Sequence, residues 1–150
     1  MQTVKACKCG ILPWWYSSSL ALGLAMLLAM PVFAAVPTKI SVILDQAQSV
    51  DNQCQLLFVI DNSLPHDIER LQAEMVLFNA ERRVLRMAVF DFQSVPEQAV
   101  RVRRFNLPNL ACSSVDSVLF NSLTSCTPLD NEACNASLEL STKTSIRILR

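Results

Sequence analysis

Apolar and polar residues alternate with a period of two through most of residues 53–92, QCQLLFVIDNSLPHDIERLQAEMVLFNAERRVLRMAVFDF. Side chains of an extended chain point alternately to opposite faces, so this alternation marks strands with one buried side. Cys54, Leu56, Phe58 and Ile60 share one face of the first run, and Leu71, Ala73, Met75 and Leu77 share one face of the second. The turn Asn79-Ala80-Glu81-Arg82 sends the chain back along 84–92. Upstream, 39–44 (KISVIL) alternates Ile40, Val42 and Leu44, and 45–52 reads as a polar connection. Downstream, 99–105 (AVRVRRF), 114–122 (SVDSVLFNS) and 137–149 supply further strands, the last as one long strand or two broken ones. Residues 125–135 read as a polar loop bounded by cysteines. A helix over 67–77 competes locally, because Glu69, Arg70, Gln72, Ala73 and Glu74 include good helix formers. The flanking β-type runs and the longer period-two match favour a strand. Seven strands at this spacing predict an all-β antiparallel sandwich.

The first residues change what belongs to that domain. Lys5 and Lys8 precede an apolar stretch at 20–29, LALGLAMLLA, which Pro31 ends, and Val32-Phe33-Ala34 offers acceptable residues at the −3 and −1 positions of a cleavage site. The expectation is a signal peptide over 1–34, of the general secretory type, cut after Ala34. The alternative is an uncleaved helix that tethers an accessory subunit to the membrane. Its uncharged run, 20–35, has 16 residues, against roughly 20 needed to span a bilayer.

The remaining 116 residues, 35–150, form one expected domain with 11 basic and 13 acidic residues, a net charge of −2 with His66 neutral. Export and that balance weigh against nucleic acid as a partner. This stretch contains no Gly, Trp or Tyr. Without Gly there is no nucleophile elbow of the Gly-x-Ser-x-Gly type and no phosphate-cradling loop. Without Trp or Tyr the aromatic platforms that hold sugars are missing, and no small-molecule substrate or cofactor is indicated.

Residues 56–105 resemble the FxLYD-type periplasmic domain, a sandwich of the immunoglobulin or fibronectin type III kind. Val59-Ile60-Asp61-Asn62 matches a strand end, and Ile68 and Leu71 match the entry to the next strand. Met75-Val76-Leu77-Phe78-Asn79 stands where the family has Phe-x-Leu-Tyr-Asp, followed by a chain reversal and Val84. The departures are Met75, Phe78 and Asn79, and a reversal without Gly. The whole domain is also similar to a group of short proteobacterial exported proteins with a late Cys pair. The resemblance implies a seven-stranded immunoglobulin/fibronectin-III-like antiparallel β-sandwich and no catalytic residue.

The expected domain holds Cys54, Cys112, Cys126 and Cys134. The spacings contain no close pair of the kind a zinc site or a redox C-x-x-C needs, and an even count in an exported chain reads as two disulfides. Four cysteines allow three pairings. In a fibronectin-like sandwich the strand that begins at Cys54 runs antiparallel to 99–105, after which Cys112 follows. The resemblance therefore implies Cys54–Cys112, and Cys126–Cys134 is expected because the two bracket TPLDNEA, a polar segment with Pro128 and no apolar pattern that a local bridge would pin.

Two further constellations bear on function. His66 is the only histidine, and a small hydrolase would need it as general base with Asp61 or Asp67 as orienter; its place in a Pro-containing loop favours an ordinary solvated imidazole. Arg82, Arg83, Arg86, Arg101, Arg103 and Arg104 are six of the nine Arg in 35–150. Arg101 and Arg103 alternate with Val100 and Val102, and are expected on the solvent face of their strand. They would meet an anionic partner through bidentate contacts, or else keep a strand face soluble. The sequence thus predicts a non-enzymatic periplasmic or secreted sandwich that binds another envelope protein, touching membrane only if its N-terminal segment stays uncleaved.

Overall fold

The computed structural model describes residues 38–150, so the expected signal peptide lies outside the described residues. Alternation becomes burial in β2 (Gln53–Asn62), where Cys54, Leu56, Phe58, Ile60 and Asn62 are buried and the residues between them are not. β2 pairs antiparallel with β1 (Ile40–Val50) on one side and with β5 (Ala99–Pro108) on the other, and β7 (Leu138–Thr142) adds in parallel to β1. The second sheet has the order β4 (Val84–Val95), β3 (Ile68–Phe78), β6 (Ser117–Thr127), β8 (Arg147–Leu149), with β8 parallel to β6. Two four-stranded sheets thus pack as a sandwich. Phe58 occupies its centre, edge-on to Phe90, Phe92 and Phe105 with ring centroids 6.0, 5.6 and 5.9 Å away. Such contacts add to area burial, which is the main stabilising term.

Four details differ from the sequence reading. β1 does not stop at Leu44: a bulge between Leu44 and Gln46 lets it continue to Val50, where its polar residues find partners on β2. The expected polar loop at 125–135 is the end of β6 followed by a short helix, α1 (Asn131–Ser137), capped by Asp130, whose Oδ1 accepts from Ala133 N at 2.8 Å. The C-terminal stretch takes the broken form of the two expected, but its two strands lie in different sheets. Both pair in parallel, so the sandwich has eight strands and is not purely antiparallel.

A domain without Gly must place other residues in the left-handed backbone region. Asp51 and Asn52 do so in the β1–β2 turn, at φ 46° and 59°, and Asn109 at 56°. Asp and Asn tolerate this conformation. Arg82, Gln93 and Gln98, at 58°, 61° and 51°, have no such relief. They sit at chain reversals or at an irregular strand end, where tertiary packing fixes the path.

Candidate interaction surface

The sandwich has four edge strands, and three carry structural protection. β7 has five residues and β8 three. β4 is long, but its register with β3 breaks three times. Short and bulged edges offer a poor template to another strand. β5 differs: it pairs with β2 from Ala99↔Asn62 to Pro108↔Gln53 without a register shift.

β4 and β5 belong to different sheets, yet they meet along one margin of the molecule. Phe90 and Phe92 on β4 lie 4.6 and 5.3 Å from Phe105 on β5, centroid to centroid. Arginines close the margin above these rings. Arg103 Nε donates to the Phe92 carbonyl at 2.7 Å and Nη2 to the Ser94 carbonyl at 3.0 Å. From the opposite strand, Arg86 Nη2 donates to the Pro108 carbonyl at 2.9 Å. Arg101 and Arg103 also donate to the carbonyls of Val100 and Val102, at 2.9 and 3.3 Å.

These bonds correct the expected orientation of β5. Arg101 and Arg103 do not project from its solvent face; Val100 and Val102 do. Cross-strand partners share a face, and Arg103 lies opposite Phe58, Phe105 opposite Leu56 and Leu107 opposite Cys54. Those β2 residues are buried, so Arg101, Arg103, Phe105 and Leu107 all point inward. The physical cause is the strand's end. Burying Phe105 and Leu107 fixes the parity, and a one-residue shift would turn both outward. Their long stems let both arginines lie half-buried at the margin while their heads reach main-chain acceptors.

The six arginines are therefore not one stripe. Arg86, Arg101 and Arg103 share the β4–β5 margin. Arg104 is exposed on the outer face of β5, and Arg82 and Arg83 are exposed in the β3–β4 turn. Arg82 also borders a hollow of about 380 Å³ beside Phe78, Ser117 and Arg147. One property unites them. Lys39, Arg70, Lys143 and Arg147 each pair with a carboxylate, whereas none of the six forms an ion pair among the described residues. On the two outer faces that flank the margin, Val84, Met87 and Val89 on β4 and Val100 and Val102 on β5 are 53–58% exposed.

The sequence pattern ends the strand at Asp61 and puts Asn62 first in the loop that follows, whereas β2 includes it. It is fully buried at the end of β2. Its Nδ2 donates to the carbonyls of His66, Val95 and Pro96 at 3.0, 3.0 and 3.1 Å, and its Oδ1 accepts from Leu64 N at 3.1 Å. One side chain therefore ties the β2–β3 loop to the crossover from β4 to β5. The detectable signal was a polar residue at a position the β2 alternation requires to be buried.

His66 lies in that loop, half-buried, with its Nε2 enclosed and without a hydrogen-bond partner. Asp67 Oδ1 accepts from Glu97 N at 2.8 Å. Among the described residues, no hydroxyl or carboxylate is hydrogen-bonded to the imidazole. Two carboxylates are held below the usual range. Partial burial pushes Asp91 upward, but the Gln93 N–H, the Gln72 amide and the Arg70 guanidinium together outweigh it. Arg147 does the same for Asp116 through a hydrogen bond.

Disulfides join Cys54 to Cys112 and Cys126 to Cys134. The first fastens the start of β2 to the chain just beyond β5, where Cys112 N also donates to Ser49 Oγ on β1. The second fastens α1 to the end of β6, with both sulfurs in the core. Fold and bridges define a disulfide-linked β-sandwich suited to an oxidising, extracytoplasmic compartment. No family model and no curated protein matches the chain in sequence. In structure it is similar to IrmA from Escherichia coli, with a TM-score of 0.53 at 12% identity over 68% of this chain and 90% of that one. At that identity the likeness shows the sandwich fold alone.

Proposed function

We infer that the chain is an exported, non-enzymatic binding or assembly module for another cell-envelope protein, and that it binds through the β4–β5 margin. In this reading residues 1–34 are a secretory signal peptide cut after Ala34, and the domain is periplasmic or secreted. Its kinship is with FxLYD-type, immunoglobulin-like periplasmic domains. The observation that carries the reading is the pairing of exposed apolar side chains with uncompensated charge at one margin. Val100 and Val102 are more than half exposed on the regular edge strand, and the arginines beside them have no acidic partner among the described residues. A solvated strand face needs charge but gains nothing from valine; a docking face uses both.

Photo-crosslinking in intact cells tests this. A benzophenone side chain at Val102 or Val89 should give a discrete adduct with an envelope protein, and one at Glu139 on β7 should not. Equal adducts at all three positions, or an adduct at Glu139 alone, would place binding elsewhere.

A further inference from the structure

Building on that reading, we propose that β5 accepts an added strand from its partner, and that this strand alternates acidic with apolar residues. The geometry supplies each part. β5 is the one long edge strand among the described residues whose ladder is unbroken. Asn109 N donates to Asn52 O at the end of the β2–β5 ladder, so in that unbroken register the odd-numbered residues of β5 bond to β2, and the carbonyls of Val100 and Val102 face away from it, where Arg101 and Arg103 reach them. In an antiparallel ladder the N–H and C=O of one residue point to the same side. The N–H groups of Val100 and Val102 therefore also face the open edge, spaced as a strand template.

The side chains specify what would pair there. A strand laid against β5 places its alternate residues beside Val100 and Val102 on the outer face, and beside Arg101 and Arg103 on the inner one. Cross-strand neighbours of opposite charge attract, and apolar neighbours pack. β5 itself contains three Arg and no acidic residue, so the complement is an acidic–apolar alternation. A second copy of this chain is a poor occupant. Two-fold pairing centred on Val102 sets Arg101 against the Arg103 of the other copy, and pairing centred on Arg103 sets like against like. Both arrangements oppose cations across the ladder.

The test uses the full exported protein and short acetylated, amidated peptides in which valine alternates with glutamate or with lysine. The glutamate peptide should bind measurably by fluorescence anisotropy and protect the Val100 and Val102 amides from hydrogen exchange. The lysine peptide should bind at least about tenfold more weakly. Arg101→Glu, which leaves Arg103 on the same face, should remove most of that preference. Val102→Pro removes an edge-facing donor at a place where an edge strand tolerates proline; it should abolish binding while the melting temperature stays close to the parent's. If that variant misfolds, the exchange protection on the unaltered protein still decides the matter.

Equal binding of both peptides would overturn the charge complement. Absence of any exchange protection at Val100 and Val102 would overturn strand addition and leave the arginines as guards of an idle edge. Either failure, combined with a crosslink at Val102 in cells, would leave the broader binding reading standing. Loss of the crosslink as well would remove both.

Discussion

Replacing Asn62 with aspartate keeps the shape of the side chain and exchanges its two N–H donors for an acceptor. In the structure that amide faces three carbonyls, of His66, Val95 and Pro96, in a fully buried position. Two N–H groups serve three oxygens, so at most two well-directed bonds are at stake. Leaving a buried partner unsatisfied costs about 1–3 kcal/mol each, which gives roughly 2–6 kcal/mol for Asn62→Asp at neutral pH. Burial of the new charge adds to this. Typical domain stability is about 5–15 kcal/mol, so the variant should be near the limit of folding. The pH dependence provides an internal check. Burial among carbonyl oxygens raises the folded-state pKa of the aspartate above its unfolded value of about 3.9. A group shifted in that direction is best tolerated below the unfolded pKa, and its penalty grows as pH rises through the folded one. The gap to the parent should narrow in acid, where the protonated carboxyl regains one donor. Urea unfolding across pH measures it. A variant within about 1 kcal/mol of the parent at neutral pH, or a gap that does not change with pH, would refute the role assigned to Asn62.

Three further outcomes follow from the structure. The Cys54–Cys112 bridge spans a separation of 58 residues and Cys126–Cys134 one of 8, so loop entropy assigns them about 4.2 and 2.6 kcal/mol before native-state strain; Cys54→Ser should lower the urea midpoint more than Cys126→Ser, and non-reducing peptide mapping that joined Cys112 to Cys126 would contradict both values. Arg82 is exposed in the left-handed region, and Arg82→Gly should stabilise by about 0.5–1 kcal/mol, the relief of the φ penalty less the entropy a glycine adds to the unfolded chain; a lower thermal midpoint would disprove it. Asp91 is held below its usual range, so its contribution is full above an unfolded pKa of about 3.9 and fades as pH falls through the lower folded value; Asp91→Asn should be slightly less stable at neutral pH and indistinguishable in acid, with a pH-independent difference as the contrary result.

How far the sequence revealed this molecule depends on whether one strand face dominates. In β2 every second residue from Cys54 to Ile60 is apolar, polar Gln53, Gln55 and Asp61 fall among the alternates with Leu57 and Val59, and the first set is buried without exception. The end of β1 was not legible, because residues 46–50 owe their strand conformation to hydrogen bonds with β2 and not to an apolar face of their own. α1 was hidden by its length. Its signals were Asp130 as cap, Glu132 in the first turn and the two alanines, Ala133 and Ala136, which read as loop residues when only the flanking cysteines are considered. Of the candidate surface, the arginines were visible and their arrangement was not. Which of them meet across a margin depends on two strands from different sheets.

The inversion of β5 decides what that surface is. The sequence AVRVRRFNLP offers two apolar pairs of opposite parity, Val100 with Val102 and Phe105 with Leu107. Only one pair can face inward in an unbroken strand. Burying Leu107 and partly burying the larger Phe105 ring against the core removes more apolar area from water than two valines could, and favours that orientation. Arg101 and Arg103 must then face inward as well. That is tolerable only at an edge, where their stems cover the phenylalanines and their heads find the carbonyls of Phe92, Ser94, Val100 and Val102. The same choice leaves Val100 and Val102 in solvent. The outward positions of Val100 and Val102 and the inward ones of Arg101 and Arg103 thus share one cause, the burial of Phe105 and Leu107; parity does not require those two outward positions to be apolar, and a polar residue at either would suit a solvated edge as well. What a binding role adds is a reason for the edge to remain long and regular, when three or four residues, or a bulge like those in β4, would have hidden it.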